Sequence, residues 1–281
     1  MNSPFAWPGG KQSLLTTLRQ RIPEHEIYVE VFAGSAKLLF AKDPSKSEVM
    51  NDLNGDLANF FRVVKHRPAE LAEALEHEIV HPERFRELRF SEPTDELARA
   101  LRFVYTTWYS YGAKGLHFAS ACMQDLLRAN ARRPLNTIRE LLNLTADRLR
   151  RVRIEQRDFI ELIRRFDSEE TFFYLDPPYV DYKPNGRYQA LTVEKREELF
   201  ELLANIKGKF LLSFDDHTEV RKLAEKHGLQ LEVVQARYSL GSTTRSRQTI
   251  NEVLISNSVE IVDVNAARIA QKLQQRRRPA L

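Results

Sequence analysis

The chain has 281 residues, 42% of them hydrophobic, which is enough to bury a substantial core in one α/β domain with an insertion or in two modest domains. Its 43 Lys and Arg residues exceed its 39 Asp and Glu residues by four, and the basic residues cluster around positions 148–153, 237–247 and 276–278. One cysteine excludes a disulfide framework, and the sequence has neither a ligand-spaced His/Cys cluster nor an apolar run of about 20 residues. We therefore expect a cytoplasmic protein with no metal site and no membrane association.

Short apolar segments predict seven strands, with amphipathic helices between several of them. The predicted strands cover residues 28–32, 48–51, 152–155, 171–175, 209–214, 230–237 and 251–256. Helical spacing relates Leu57, Phe60, Phe61 and Val64, and again Leu199, Leu202, Leu203 and Ile206. Because strand and helix alternate, the sheet should be largely parallel.

The alternation fails between about Phe61 and Asn143, where Glu, Arg, Leu and Ala dominate and strand signals are nearly absent. Such a composition predicts a helical insertion. We therefore expect a discontinuous core domain made of residues 1–61 and 144–281, with residues 62–143 inserted into it.

The start of the chain offers residues for binding a small ligand. An aromatic residue, a flexible turn and a cation occur together in residues 5–11, but the spacing of a P-loop is absent. The first strand leads into a small-residue turn around Gly34, at the strand end where open α/β sheets bind ligands. About eighteen residues later, Asp52 follows the next strand, near the offset at which an acidic side chain binds ribose hydroxyls. The sequence lacks GxGxxG, which weakens the dinucleotide interpretation, and Asp52 taken alone can equally be a helix N-cap. Its pairing with Gly34 favours the ribose role.

The most informative motif is Asp176-Pro177-Pro178-Tyr179, which directly follows the apolar segment 171–175. The exocyclic amine of a nucleobase is a poor nucleophile, and it improves when acceptors hold its N–H bonds and localise the lone pair. Asp176 can accept one N–H, and the carbonyl of Pro177 can accept the other because proline fixes the backbone. Tyr179 can stack on the base. A proline turn capped by Asp and Tyr is the structural alternative for the motif taken alone.

Two segments are candidates for nucleic-acid contacts. The loop at 237–247 mixes cations and hydroxyls, which suits phosphate binding by Arg245 and Arg247, although a solvated loop has the same composition. Within the predicted insertion, Tyr109 and Lys114 can read bases or fill the gap left by a flipped base, although aromatics at this spacing are as often core.

Together these segments resemble the Dam-type family of DNA adenine-N6 methyltransferases, which use S-adenosylmethionine. The resemblance covers nearly the whole chain, and its matching pieces are residues 5–11, 28–36, 51–54, 157–159, 176–179, 211–213 and 251–257. It implies a Rossmann-like class I methyltransferase sheet, with residues 62–143 as a helical target-recognition insertion. It also implies methyl transfer to the N6 amine of an adenine flipped out of double-stranded DNA, and a cognate restriction endonuclease would be consistent with it.

The resemblance also implies roles for individual residues. The implied cofactor contacts are Trp7, Lys11, Phe32, Gly34, Asp52, Asp158 and Phe159. Lys11 would serve the methionine carboxylate, Asp52 the ribose hydroxyls, and Asp158 with Phe159 the adenine ring. The family often has a second glycine where this chain has Ala36, whose methyl group should be tolerated unless φ is positive.

Other chemistries remain as alternatives. Cytosine-N4 methyltransferases usually have Ser at the position of Asp176, and RNA adenine methyltransferases lack this type of insertion. Cytosine C5 methylation needs a thiolate, and we expect Cys122 to be an ordinary buried residue. A binding protein without catalysis should have a damaged motif or cofactor site, whereas Lys11, Asp52 and Tyr179 are all present.

Overall fold

The computed structural model describes residues 1–119, 135–180, 190–239 and 247–258. The helices are α1 (Leu15–Gln20), α2 (Lys37–Ala41), α3 (Gly55–His66), α4 (Pro68–Glu76), α5 (Pro82–Phe90), α6 (Glu96–Trp108), α7 (Leu135–Leu149), α8 (Phe159–Phe166), α9 (Val193–Ala204) and α10 (Thr218–Lys226). The strands are β1 (Ile27–Glu30), β2 (Ser47–Asn51), β3 (Val152–Glu155), β4 (Thr171–Leu175), β5 (Lys209–Asp215), β6 (Gln230–Ser239) and β7 (Arg247–Ser256). All seven predicted strands are present, although β1 ends two residues early and β7 begins four residues early.

The chain divides into two compact units. Unit 1 comprises Met1–Gly10, Phe32–Asp158 and Lys183–Gln189. Unit 2 comprises Lys11–Val31, Phe159–Tyr182 and Ala190–Leu281. The boundaries of these units do not coincide with residues 62 and 143, so the separate domain at residues 62–143 stays a prediction.

Five strands of unit 2 lie side by side in the order β1-β4-β5-β7-β6. Strands β1, β4 and β5 are parallel, whereas β7 runs antiparallel to both β5 and β6. All five residues of β4 are buried, as expected of a central strand covered on both faces. The largely parallel sheet confirms the predicted α/β class.

Unit 1 contains the parallel pair of β2 and β3 and a set of packed helices. The predicted stripe of α3 is confirmed, because Leu57, Phe60, Phe61 and Val64 are all buried. Helix α3 begins at a cap, where Oδ1 of Asn54 accepts hydrogen bonds from two backbone N–H groups. Between residues 62 and 143, the described residues form helices and a short 3₁₀ turn but no strand.

The described ranges contain neither a membrane-spanning helix nor a cluster of metal-ligating side chains. None of the helices there is both long and apolar enough to cross a membrane. The same ranges contain no group of three or more His, Cys, Asp or Glu side chains that could hold a metal ion.

Candidate active site

The register of β4 and β5 places the aspartate of the motif beside a serine. Leu175 pairs with Leu212, so the residues that follow them, Asp176 and Ser213, are adjacent at the carboxyl end of the sheet. The Ser213 hydroxyl donates to Oδ1 of Asp176 over 3.1 Å. This edge of a parallel sheet is where α/β folds place ligands.

A buried lysine completes the surroundings of this carboxylate. Nζ of Lys11 lies 2.5 Å from Oδ1 of Asp176 and 4.0 Å from Oε2 of Glu252, a fully buried residue of β7. The sequence places Lys11 and Asp176 165 positions apart, and the fold of unit 2 brings them together. The resemblance implies that Lys11 serves the methionine carboxylate, and that role stays a prediction.

Burial raises the pKa of Asp176, while Lys11 and Ser213 oppose this shift by favouring the ionised form. Burial likewise raises the pKa of Tyr174 well above its ordinary value, with a further contribution from the Asp176 charge. The Tyr174 hydroxyl lies 3.2 Å from Oγ of Ser213. A protonated phenol, a serine and a carboxylate therefore follow one another in the interior of unit 2.

Phe214 of β5 and Lys11 both contact the aromatic residue of the motif. The ring of Tyr179 stacks on Phe214 of β5, with centroids 5.9 Å apart and planes inclined by 24°. Lys11 Nζ lies over the same ring, 4.7 Å from its centroid. Immediately afterwards, the Val180 N–H donates to Oδ1 of Asp215 over 3.2 Å. The segment from Asp176 to Val180 is thus fixed largely by side chains of β5.

In unit 1, three of the predicted cofactor residues lie close together. Gly34 has a φ of +50°, and a Cβ at this position would lie only 2.9 Å from Cδ1 of Trp7. The Gly34 N–H donates to Oδ2 of Asp52 over 2.9 Å, and Oδ1 accepts from the Asn54 N–H at the same distance. The turn, the indole and the carboxylate therefore form one cluster, in which the indole packs directly against the buried Gly34.

Ala36 has a backbone conformation that the sequence does not reveal. Its φ is 51° and its ψ is 41°, in the left-handed region, and it is the N-cap of α2. Because φ is positive, the methyl group of Ala36 is poorly tolerated at this position. A non-glycine residue in this region costs about 1–2 kcal/mol, so the turn that carries Gly34 is strained.

Of the remaining predicted cofactor residues, Asp158 lies between β3 and α8, Phe159 is the first residue of α8, and Phe32 follows β1. Asn51 donates to the Arg157 carbonyl over 3.0 Å and accepts from the Arg157 N–H over 2.8 Å, which fixes the backbone just before Asp158. Asp158 is half-buried in unit 1, as is Phe32. Phe159 is buried in unit 2, with Nζ of Lys195 lying 5.6 Å from its ring centroid.

The predicted DNA-binding residues of the insertion lie on a closed loop. Ser110 pairs with Phe118 in an antiparallel bridge, and the Ala119 N–H donates to the Tyr109 carbonyl over 2.9 Å. Lys114 is exposed at the loop tip, whereas Tyr109 is half-buried with its ring against Tyr105, at a centroid distance of 4.7 Å.

Other predicted residues lie outside what the structure describes. Arg245 and Cys122 fall outside the described residues, as do positions 276–278. Arg247 opens β7, and its side chain also falls outside the description.

Ser213 and Glu252 lie at the site but are not among the individually predicted site residues. Both occur within segments that carry the family resemblance, but no feature of their local sequence indicates a contact with Lys11 or Asp176. The available signal is positional, because Ser213 stands near the end of a predicted strand, where ligand-binding residues concentrate.

Comparison with known proteins identifies relatives of the whole chain. A family model described as D12 class N6 adenine-specific DNA methyltransferase matches residues 7–240. The chain is 26% identical over 275 residues to the Type II methyltransferase M1.LlaDCHI of Lactococcus lactis subsp. cremoris, covering 90% of this chain and 95% of that protein. It is 26% identical over 270 residues to the DNA adenine methylase of Escherichia coli K12, covering 88% and 92% of the two chains. The DNA adenine methylase of Vibrio cholerae is 24% identical over 264 residues.

Proposed function

Because the chain belongs to the D12 class of N6 adenine-specific DNA methyltransferases, we propose that it uses S-adenosylmethionine and that its Asp176–Tyr179 motif holds the target adenine. The observation that carries this proposal is the position of the Asp176 carboxylate. It stands at the carboxyl end of β4, it is fixed by Lys11 and Ser213 at one oxygen, and Tyr179 is held beside it.

The motif supplies what the amine needs in order to react. We assign one N–H of the amine to Asp176 and the other to the Pro177 carbonyl, which localises the nitrogen lone pair. The adenine must leave the duplex, at an unstacking cost of a few kcal/mol, and stacking on Tyr179 offsets part of that cost. Phe214 of β5 stacks on the Tyr179 ring and holds it at the end of the motif. Positioning of the reactants then provides most of the acceleration.

The residues of unit 1 fit a nucleoside-containing cofactor. The absence of a Cβ at Gly34 lets the Trp7 indole pack directly against this turn, and Asp52 presents a carboxylate beside it. We assign Trp7, Phe32, Gly34, Asp52 and Asp158 to this role. When bound, S-adenosylmethionine supplies an electrophilic methyl group.

In unit 2, we assign Phe159 to the adenine ring of the cofactor. Lys11 has two tasks in this proposal. It serves the methionine carboxylate, and its ammonium favours the ionised, hydrogen-bond-accepting form of Asp176.

For DNA, we assign base contacts to the loop that carries Tyr109 and Lys114, and phosphate contacts to Arg245 and Arg247. The exposure of Lys114 at a hydrogen-bonded loop tip supports the first assignment. The assignment of Arg245 and Arg247 depends on the mixture of cations and hydroxyls in their loop. Such contacts with phosphates position a protein on the duplex without reading its sequence.

A product analysis tests the reaction. The protein is incubated with S-adenosylmethionine and unmethylated genomic DNA, the DNA is digested to nucleosides, and N6-methyladenine is measured by mass spectrometry. We expect the product with the wild type and with Asp216→Asn, a control variant in which the altered carboxylate pairs with exposed Arg221. N4-methylcytosine, or methylated RNA in a parallel digest, would reassign the substrate, and cofactor binding without any product would favour a binding protein.

A matched pair of glycine variants tests the cofactor assignment. Gly34→Ala introduces a methyl group 2.9 Å from Trp7, whereas Gly228→Ala has a similar positive φ of +64° and no atom within 4 Å. Both changes carry backbone strain, so the difference between them isolates the contact with Trp7. We expect calorimetry to show S-adenosylmethionine binding weakened roughly tenfold or more, about 1.4 kcal/mol, by Gly34→Ala alone. Equal affinities of the two variants would contradict the assignment.

A further inference from the structure

Three consecutive residues at the end of β5 hold the segment that follows β4. Ser213 donates to Asp176, Phe214 stacks on Tyr179, and Asp215 accepts from the Val180 N–H. Since β4 and β5 are parallel neighbours in fixed register, β5 provides a rigid support for the motif.

The donors around Asp176 are unevenly distributed between its two oxygens. Lys11 and Ser213 both donate to Oδ1, over 2.5 Å and 3.1 Å. In the part of the chain that the structure describes, no group donates to Oδ2. Two donors from different elements at one oxygen restrict rotation of the carboxylate, and this fixes the direction in which Oδ2 points.

We infer that Ser213 is a positioning residue for methyl transfer: its hydroxyl holds Oδ1 of Asp176 so that Oδ2 accepts the N–H of the target amine. This inference rests on the proposed function of Asp176. Ser213 acts through Asp176 and does not itself contact the base.

The surroundings of Ser213 favour donation toward Asp176. Oγ of Ser213 also lies 3.3 Å from the Leu175 carbonyl, but the carboxylate oxygen is nearer and hydrogen bonds to ionised acceptors are stronger. Tyr174, whose raised pKa keeps its hydroxyl protonated, can donate to Oγ from the other side. The hydrogen bonds then run in one direction, from Tyr174 to Ser213 to Asp176.

The inference predicts a change in pH dependence. The hydrogen bond from Ser213 lowers the pKa of Asp176, so its loss should raise that pKa and move the acid limb of the rate profile to higher pH. The other titratable groups around this network are Lys11 before α1, Glu30 on β1, Tyr174 on β4, Tyr179 after β4, Asp215 on β5 and Glu252 on β7. All of these groups remain in the variants.

The experiment compares Ser213→Ala with Ser256→Ala in the full-length chain. Ser256 is a buried serine on β7 whose hydroxyl donates to the Ser258 carbonyl, so its loss controls for removal of a buried hydroxyl. Ser213→Cys keeps the shape of the side chain, with a somewhat larger sulfur, but replaces the hydroxyl with a weak donor, and it serves if Ser213→Ala does not fold. Single-turnover methyl transfer is measured from pH 5 to 8, together with KM for DNA and the affinity for S-adenosylmethionine.

We expect Ser213→Ala to lower the single-turnover rate roughly tenfold, the effect of one hydrogen bond to a charged group. The acid limb should move to higher pH, while KM, cofactor affinity and the Ser256→Ala variant should stay at wild-type values. A wild-type rate and acid limb in Ser213→Ala would overturn the inference, as would equal losses in both serine variants with an unmoved acid limb. Asp176→Asn is measured in parallel. If it is inactive while Ser213→Ala is normal, only the role of Ser213 fails, whereas an active Asp176→Asn refutes the proposed function itself.

Discussion

Glu48 on β2 and Asp176 after β4 are both carboxylates beside a buried lysine, but they differ in how their oxygens are used. Lys42 and Arg148 donate to Oε1 of Glu48 over 2.6 and 2.9 Å, and Arg148 also donates to Oε2 over 2.5 Å. At Asp176, Lys11 and Ser213 both donate to Oδ1. Glu48 therefore has two cations for two oxygens, whereas Asp176 has one cation at one oxygen.

The pKa values of the two carboxylates shift in opposite directions. Burial raises the pKa of Glu48, but hydrogen bonds from Arg148 and Lys42 outweigh burial and the net shift is downward. At Asp176 burial dominates, and the net shift is upward. The difference indicates that Glu48 stabilises unit 1, whereas ionised Asp176 is less favourable in the folded chain, a cost in stability that fits the catalytic role we propose for it.

The change with the largest expected effect separates activity from stability at Asp176. Asp176→Asn removes the charged acceptor, and we expect methyl transfer to fall at least about 100-fold, the scale for loss of one transition-state hydrogen-bond partner. Because the folded-state pKa is raised, the ionised form is less favourable in the folded chain than in the unfolded chain. Asn resembles the neutral form, so thermal unfolding should show no loss of stability. If Asp176→Asn has a lower melting temperature and normal turnover, Asp176 stabilises the fold, as Glu48 does, and is not needed for methyl transfer.

The second change applies the same test to Glu48. Glu48→Gln leaves Arg148 and Lys42 in a buried place without their carboxylate, and breaking a buried pair in this way costs about 3–5 kcal/mol. Urea unfolding measures this loss, while the methyl-transfer rate per folded molecule should equal that of the wild type. The control is Glu70→Gln, because Glu70 pairs with Arg67 on the surface, where ion pairs contribute little to stability. Equal losses in the two variants would show that the Glu48 cluster is not special.

The sequence predicts the strands that carry these carboxylates better than it predicts their partners. Local patterning is enough to locate all seven strands and the motif that begins at Asp176, since apolar periodicity and proline act over a few residues. The contact of Asp176 with Lys11 joins positions 165 apart, and that of Glu48 with Arg148 joins positions 100 apart. Such pairs depend on strand order and register, which no local pattern encodes. The left-handed conformation of Ala36 is likewise absent from its sequence, because alanine rarely adopts it.

The smallest expected effect, and the most direct comparison of the two carboxylates, is the pH dependence of stability. Glu48 has a lowered folded-state pKa, so its contribution is fully present above its unfolded pKa of about 4 and is lost as the pH falls through the folded pKa. Wild type should therefore be more stable than Glu48→Gln at pH 7, and this difference should shrink below about pH 4. Asp176 has a raised folded-state pKa, so any advantage of Asp176→Asn over wild type should appear as the pH rises above about 4 and disappear at lower pH.

Urea unfolding of the three proteins at pH 3.5, 5 and 7 measures both differences. The two variants are predicted to differ in stability from wild type in opposite directions at neutral pH. A general effect of acid on the fold would change both differences in the same direction, so it cannot produce this result. If both variants lose stability at neutral pH and recover it in acid, Asp176 is a stabilising ion pair like Glu48. The pKa of Asp176 would then be lowered in the folded chain instead of raised, and its environment would not reduce stability in favour of reactivity.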